Sequence, residues 1–174
     1  MRLDCGKCTV RDWARSDKAA LVRFANNRNI WRNLTHMFPH PYTEANADWW
    51  FSFLAKTTEP TSWAIEVEGL AVGGIGVTLK EGVYAKAADF GYWLGEPYWG
   101  RGIMTEAVKA VSSYAMRRFE LIRLEAPVFD WNPASMRVLE KCGFVREGVL
   151  RASAVKDGQV IDRVIYALLD RTAG

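Results

Sequence analysis

Trp99-Gly100-Arg101-Gly102-Ile103-Met104-Thr105 is the stretch on which the fold turns. Two glycines flank one arginine, and the first residues of an apolar helical stripe follow at once. Upstream, Phe90, Tyr92 and Leu94 share one face of a strand over residues 88–94, which ends at the breaker Gly95-Glu96-Pro97. Downstream, Ile103, Ala107, Val108, Val111, Tyr114, Ala115 and Phe119 fall on a single buried helical stripe. A strand therefore runs into a glycine loop, and the loop runs into a helix. That order aims backbone N–H groups and the positive helix end at one point, where a phosphate or pyrophosphate would sit, and Arg101 adds charge.

A Gly-X-Gly alone is weak evidence. A Walker loop needs Lys-Ser or Lys-Thr after its last glycine, and Ile103-Met104 stands there. A dinucleotide fingerprint needs a third glycine where Thr105 lies, and it opens the first βαβ unit rather than a segment past the midpoint of the chain. The bland alternative is a tight strand-to-helix turn that binds nothing.

Around this loop the pattern predicts a strand over 9–11, a helix over 17–27 with Ala20, Leu21 and Phe24 on one face, and an irregular stretch over 28–42. Thr43 reads as the N-cap of a helix to about residue 56. Strands follow over 63–67 and 74–79, the latter with glycines that permit close backbone approach. After the central helix come a strand over 123–129 and a helix opened by Asn132-Pro133 and closed by Gly143. Strand runs over 144–155 and 160–168 meet at Asp157-Gly158, a hairpin signal. The order β-α-α-β-β-β-α-β-α-β-β predicts an α/β sheet with helices on its faces.

With 174 residues, no linker and no repeat, the chain reads as one domain, with a core over about 9–169. The net charge of +3 suits an anionic small molecule. It falls short of a nucleic-acid footprint, so nucleic acid is disfavoured as a partner. No apolar run nears ~18 residues, so no membrane span is expected. Cys5 and Cys8 form a C-x-x-C without a second pair at zinc spacing, and Cys142 stands alone, so no metal is expected. The odd cysteine count suggests a reducing, cytoplasmic setting. Oligomeric state stays open, with a homodimer one option.

Gly91-Tyr92-Trp93-Leu94, Tyr98-Trp99-Gly100-Arg101-Gly102-Ile103-Met104-Thr105-Glu106-Ala107, Asn132-x-x-Ser135 and Lys141-Cys142-Gly143-Phe144 together resemble the GNAT N-acetyltransferases. Within them the chain is most similar to the Rim branch of ribosomal-protein N-terminal acetyltransferases, which Pro39-His40-Pro41-Tyr42-Thr43 also resembles. The resemblance implies a single-domain α/β fold with a mixed, mostly antiparallel sheet. It also implies a V-shaped split between strands four and five of this reading, 88–94 and 123–129. Acetyl-CoA would be the co-substrate. Its pantetheine would pair with the backbone of Tyr92, Trp93 and Leu94, and its pyrophosphate would meet the amides of Gly100, Arg101, Gly102, Ile103, Met104 and Thr105. Asn132 would reach the pantetheine. Trp99 and Met104 depart from the family's usual loop pattern, and a side chain at 104 that points away would leave its N–H available.

The implied chemistry is direct attack of an amine on the thioester, with a backbone N–H near Trp93 or Leu94 stabilising the oxyanion. Asp89 is the candidate base, acting through water, with a surface ion pair as its alternative. Many relatives carry a Tyr that protonates the departing thiolate; here that position is Leu139, and Ser135 is the substitute candidate. A hydroxyl bonded within its own helical turn is the alternative for Ser135. Trp31, His36, Tyr42 and Trp49 are candidate lining for the acceptor pocket, with core filling as the alternative. The acceptor is expected to be a primary amine, either a peptide N-terminal α-amine or a small molecule. A CoA-binding module without efficient catalysis is the competing function.

Overall fold

A computed structural model describes residues 1–170. Its strands are β1 (Arg2–Asp4), β2 (Thr9–Arg11), β3 (Ser62–Val67), β4 (Leu70–Leu79), β5 (Ala87–Leu94), β6 (Arg123–Phe129), β7 (Val145–Lys156) and β8 (Gln159–Leu169). Its helices are α1 (Lys18–Ala25), α2 (Arg28–Trp31), α3 (Glu44–Lys56), α4 (Ile103–Arg118) and α5 (Pro133–Lys141). The strand order is β1-β2-β3-β4-β5-β6-β8-β7. All described ladders are antiparallel except β5–β6. The fold is therefore the expected α/β class with a mixed, mostly antiparallel sheet. By compactness the chain divides into two units, Met1–Gly76 with Tyr92–Ala107, and Val77–Gly91 with the chain from Val108 on.

In the first unit the hairpin β1–β2 continues into β3, with Val10 opposite Ile65, and β3 pairs with β4, with Trp63 opposite Ile75. Val10, Trp63, Ile65 and Ile75 are all buried, and each such side chain contributes ~1.5–3 kcal/mol relative to exposure. α1 and α3 close over a cluster of Leu21, Ala25, Tyr42, Ala47 and Phe51. α3 starts where the sequence predicts. Thr43 Oγ1 accepts from Asn46 N (3.3 Å), and Asn46 Oδ1 accepts from Thr43 N (2.8 Å), a reciprocal capping box. The stretch read as irregular contains one helical turn, α2, capped by Asn27, whose Oδ1 accepts from the amides of Asn29 and Ile30. Four residues are too few for a periodic signal, and the Asn at its head, a helix-capping residue, went unread in the sequence.

In the second unit β5 and β6 form a parallel ladder from Ala87↔Arg123 to Asp89↔Glu125. It stops after three pairs, while β6 goes on against β8 as far as Phe129, in keeping with the expected split. β7 and β8 are joined through Asp157-Gly158, as predicted. α5 ends in a Schellman motif: Phe144 N donates to Leu139 C=O and Gly143 N to Glu140 C=O, both at 3.1 Å. No described helix is long and apolar enough to cross a membrane.

Candidate active site

The loop between β5 and α4 is built by two glycines in the left-handed region, Gly100 at φ +73° and Gly102 at φ +77°. Residues with a Cβ enter that region at a cost of roughly 1–2 kcal/mol, so this path belongs to glycine. The helix ladder opens with Glu106 N donating to Gly102 C=O at 3.3 Å. The amides of Ile103 and Met104 therefore precede the first intrahelical bond and lie at the positive end of a 16-residue helix. Met104, the unexpected residue of the loop, is only 9% exposed and Ile103 2%. Their side chains serve the core, and only their backbone belongs to the loop.

Trp99, the other departure from the family pattern, has a structural task that the sequence did not show. Its indole N–H donates to the carbonyl of Leu94 at 2.7 Å, which ties the loop to the end of β5. Beside it, Arg101 lies with its guanidinium 5.4 Å from the centre of the Tyr98 ring. β4 meets Trp93 closely: a Cβ at Gly73 would fall 2.5 Å from the Trp93 carbonyl, and one at Gly74 2.7 Å from the Trp93 ring nitrogen. The glycines of β4 thus do permit close approach, and what approaches is Trp93.

Of the candidate acceptor residues, the first unit links Tyr42 to this end of β5. Phe38 links Trp93 (ring centres 5.5 Å apart) to Tyr42 (5.2 Å). Tyr42 is 7% exposed within the cluster beneath, and burial pushes its phenol up to about 12. Trp31 packs beside His40 and Arg28, His36 is exposed, and Trp49 stacks on Phe53 at the surface of α3. Glu96, which sequence reasoning passed over, accepts from the Asn27 amide at 2.6 Å and from Asn29 at 3.1 and 3.2 Å. Those bonds hold the Glu96 carboxyl below the usual range and fasten the segment around α2 to the β5–α4 connection.

The second unit carries the remaining candidates. Asp89 lies on the exposed side of β5 with Lys80 Nζ 3.1 Å from its Oδ1, and Lys80 also pairs with Glu125. The Lys80 contact first, against some burial, holds the Glu125 carboxyl below its ordinary range. Asn132 Oδ1 caps α5 by accepting from Ser135 N at 3.2 Å. Ser135 is half-buried in the first turn. Leu139 is fully buried.

This geometry has counterparts among known proteins. Residues 7–145 match the family model for the acetyltransferase (GNAT) domain. The chain belongs to the GNAT acetyltransferase family. It is 44% identical over 85 residues to the probable N-acetyltransferase YjcK of Bacillus subtilis, covering 49% of this chain and 47% of that one. It is 34% identical over 82 residues to the ribosomal protein uS5-alanine N-acetyltransferase of Escherichia coli, covering 47% of this chain and 42% of that one. The chain thus spans about half the length of these GNAT relatives. Among solved structures, the RimL ribosomal L7/L12 α-N-protein acetyltransferase in complex with coenzyme A has the same fold. It aligns with a TM-score of 0.83 at 21% identity, covering 97% of this chain and 98% of the other.

Proposed function

We propose that this GNAT chain transfers the acetyl group of acetyl-CoA to a primary amine, either a peptide N-terminal α-amine or a small molecule. The carrying observation is the head of α4, where Gly100 and Gly102 in the left-handed region lead, past Arg101, into a helix whose first amides precede its first intrahelical bond. Those groups fit a pyrophosphate. The residues proposed to hold it are Gly100, Arg101, Gly102, Ile103, Met104 and Thr105, with the backbone of Tyr92, Trp93 and Leu94 for the pantetheine. Within this segment the Leu94 carbonyl accepts from the Trp99 indole. A backbone N–H near Trp93 or Leu94 is the proposed oxyanion donor.

Trp31, His36, Tyr42 and Trp49 remain the proposed acceptor side, with Tyr42 acting from beneath as a buried support. Asp89 is the proposed base, Ser135 the proposed proton donor and Asn132 the proposed pantetheine contact. The relative named for an alanine of ribosomal protein uS5 supports a peptide α-amine as acceptor. So does physical chemistry: an α-amine is roughly a tenth neutral at pH 7, whereas a lysine amine is under about 0.1% neutral, so the former asks less of a base.

The competing reading, a module that binds CoA without efficient transfer, is favoured by Leu139, a buried apolar side chain where many relatives carry Tyr. Thiol release from acetyl-CoA with a panel of peptides and small amines decides between them. Release is expected, faster with α-amines than with lysine at pH 7, and the gap should narrow as pH rises. CoA binding without release across the panel would favour the competing reading, and absence of both would refute the two together.

A further inference from the structure

The turn of the β1–β2 hairpin is Gly6-Lys7, closed by Cys5 N donating to Cys8 C=O at 2.9 Å and by Gly6 N donating to Asp4 Oδ1 at 2.8 Å. A lysine at an exposed hairpin tip ordinarily extends into water. Lys7 instead reaches a loop 94 residues away: its ammonium donates to the carbonyl of Arg101 at 3.0 Å and stands 2.9 Å from where a Cβ on Gly102 would be. The hairpin is also fastened there by Cys8, whose thiol lies 3.9 Å from the carbonyl of Ile103. An ammonium carries three N–H donors, and the contact with Arg101 uses one.

The pairing of charges along the chain points the same way. Lys18, Lys80 and Lys86 each sit against a carboxylate. Neither Lys7 nor Arg101 forms an ion pair among the described residues. Two cations outside any ion pair thus stand at the loop that leads into α4, Lys7 on the Arg101 carbonyl and Arg101 beside Tyr98. Asp4 in the hairpin turn and Glu106 in the first turn of α4 are the carboxylates nearby in sequence, and neither pairs with Lys7 or Arg101 among the described residues, so both cations keep donors for an anion.

We propose that Lys7 is a phosphate-binding residue of this site, supplied by the N-terminal hairpin, and that it closes over the phosphates of acetyl-CoA opposite Arg101. This rests on the reading of the site given above. The shared chemistry is a phosphate oxygen, and the ligand offers two sources, the pyrophosphate and the 3′-phosphate. Lys7 also makes the hairpin part of the cofactor site, which the loop alone would not predict.

The test is titration of CoA and of dephospho-CoA into the folded wild type, Lys7→Met and Lys7→Arg, each at low and high salt. Lys7→Met is expected to weaken CoA binding by ~10-fold, the worth of one charge-assisted hydrogen bond, and to flatten the salt dependence. Lys7→Arg should restore most of both. A loss seen with both ligands assigns Lys7 to the pyrophosphate, and a loss seen with CoA alone assigns it to the 3′-phosphate. Lys7→Met that binds CoA like the wild type overturns the proposal. So does a weakening with unchanged salt dependence and a lowered melting temperature, which would mark Lys7 as a structural tie of the loop. Wild type that binds neither ligand would instead refute the phosphate site itself, and the Lys7 assignment with it.

Discussion

The heads of α4 and α5 differ in how their first amides are used. α5 opens behind Asn132, whose side chain accepts from Ser135 N, with Pro133 at the first helical position, where no amide is needed. α3 is sealed in the same manner by Thr43 and Asn46. α4 opens behind Gly102, which has no side chain to cap with, at the end of a loop flanked by Lys7 and Arg101. α1 shows a third arrangement: Asp17 stands at the N-cap position, yet its carboxylate is turned to the Arg11 fork at 2.7 and 2.8 Å. A helix start that seals itself is architecture. One that follows left-handed glycines, with Lys7 and Arg101 outside any ion pair among the described residues, suits an anion.

The largest effect is expected where the open start is closed. Gly102→Glu puts a Cβ at φ +77° and a carboxylate at the point meant for phosphate. It should weaken CoA binding by at least ~1000-fold, about 4 kcal/mol, in a protein that still melts cooperatively. Near-normal affinity measured by calorimetry would place the phosphates elsewhere.

The next effect concerns α1. Burial alone would raise the Asp17 carboxyl, but the Arg11 guanidinium and the amide of Ala14 outweigh it and hold the pKa below its ordinary value. A carboxylate depressed in the folded state contributes stability above its unfolded pKa of ~3.9 and loses it as pH falls through the folded value. Asp17→Asn should therefore cost about 3 kcal/mol in urea unfolding at pH 7, and the difference from wild type should shrink below pH ~4. A constant difference across that window would mean that packing, not charge, makes Asp17 matter.

The smallest effect separates capping from binding at α5. Asn132→Ala should cost ~1 kcal/mol, the usual worth of an N-cap, seen as a Tm drop of a few degrees. Asn132→Asp keeps an acceptor for Ser135 N and should retain the Tm, while removal of the amide donor should raise the CoA Kd a few-fold. An unchanged Kd in both variants would leave Asn132 as a cap and nothing more.

Sequence periodicity carried most of the fold because long elements repeat their signal. The α4 stripe appears as Ile103, Ala107, Val108, Val111 and Ala115, all buried. α2 was not legible, since four residues make barely one helical turn, and β1 went unread although β2, equally short, was found. In the site, the glycines revealed the loop because left-handed backbone selects for them. Long-range partners left no such mark. Nothing near Lys7 in the sequence points to Arg101, and nothing near Trp99 shows that its indole closes the Leu94 carbonyl. Glu96 read as part of a breaker, and its bonds to Asn27 and Asn29 emerged only in three dimensions.

The open start of α4 is tested most directly by following backbone amides in a ¹⁵N-labelled sample as CoA is added. The largest shifts are expected at Gly100, Arg101, Gly102, Ile103, Met104 and Thr105, with the sealed first turn of α3, around Asn46 and Ala47, unmoved. Saturable binding that leaves the amides of residues 100–105 in place would contradict the claim that the head of α4 is the phosphate site.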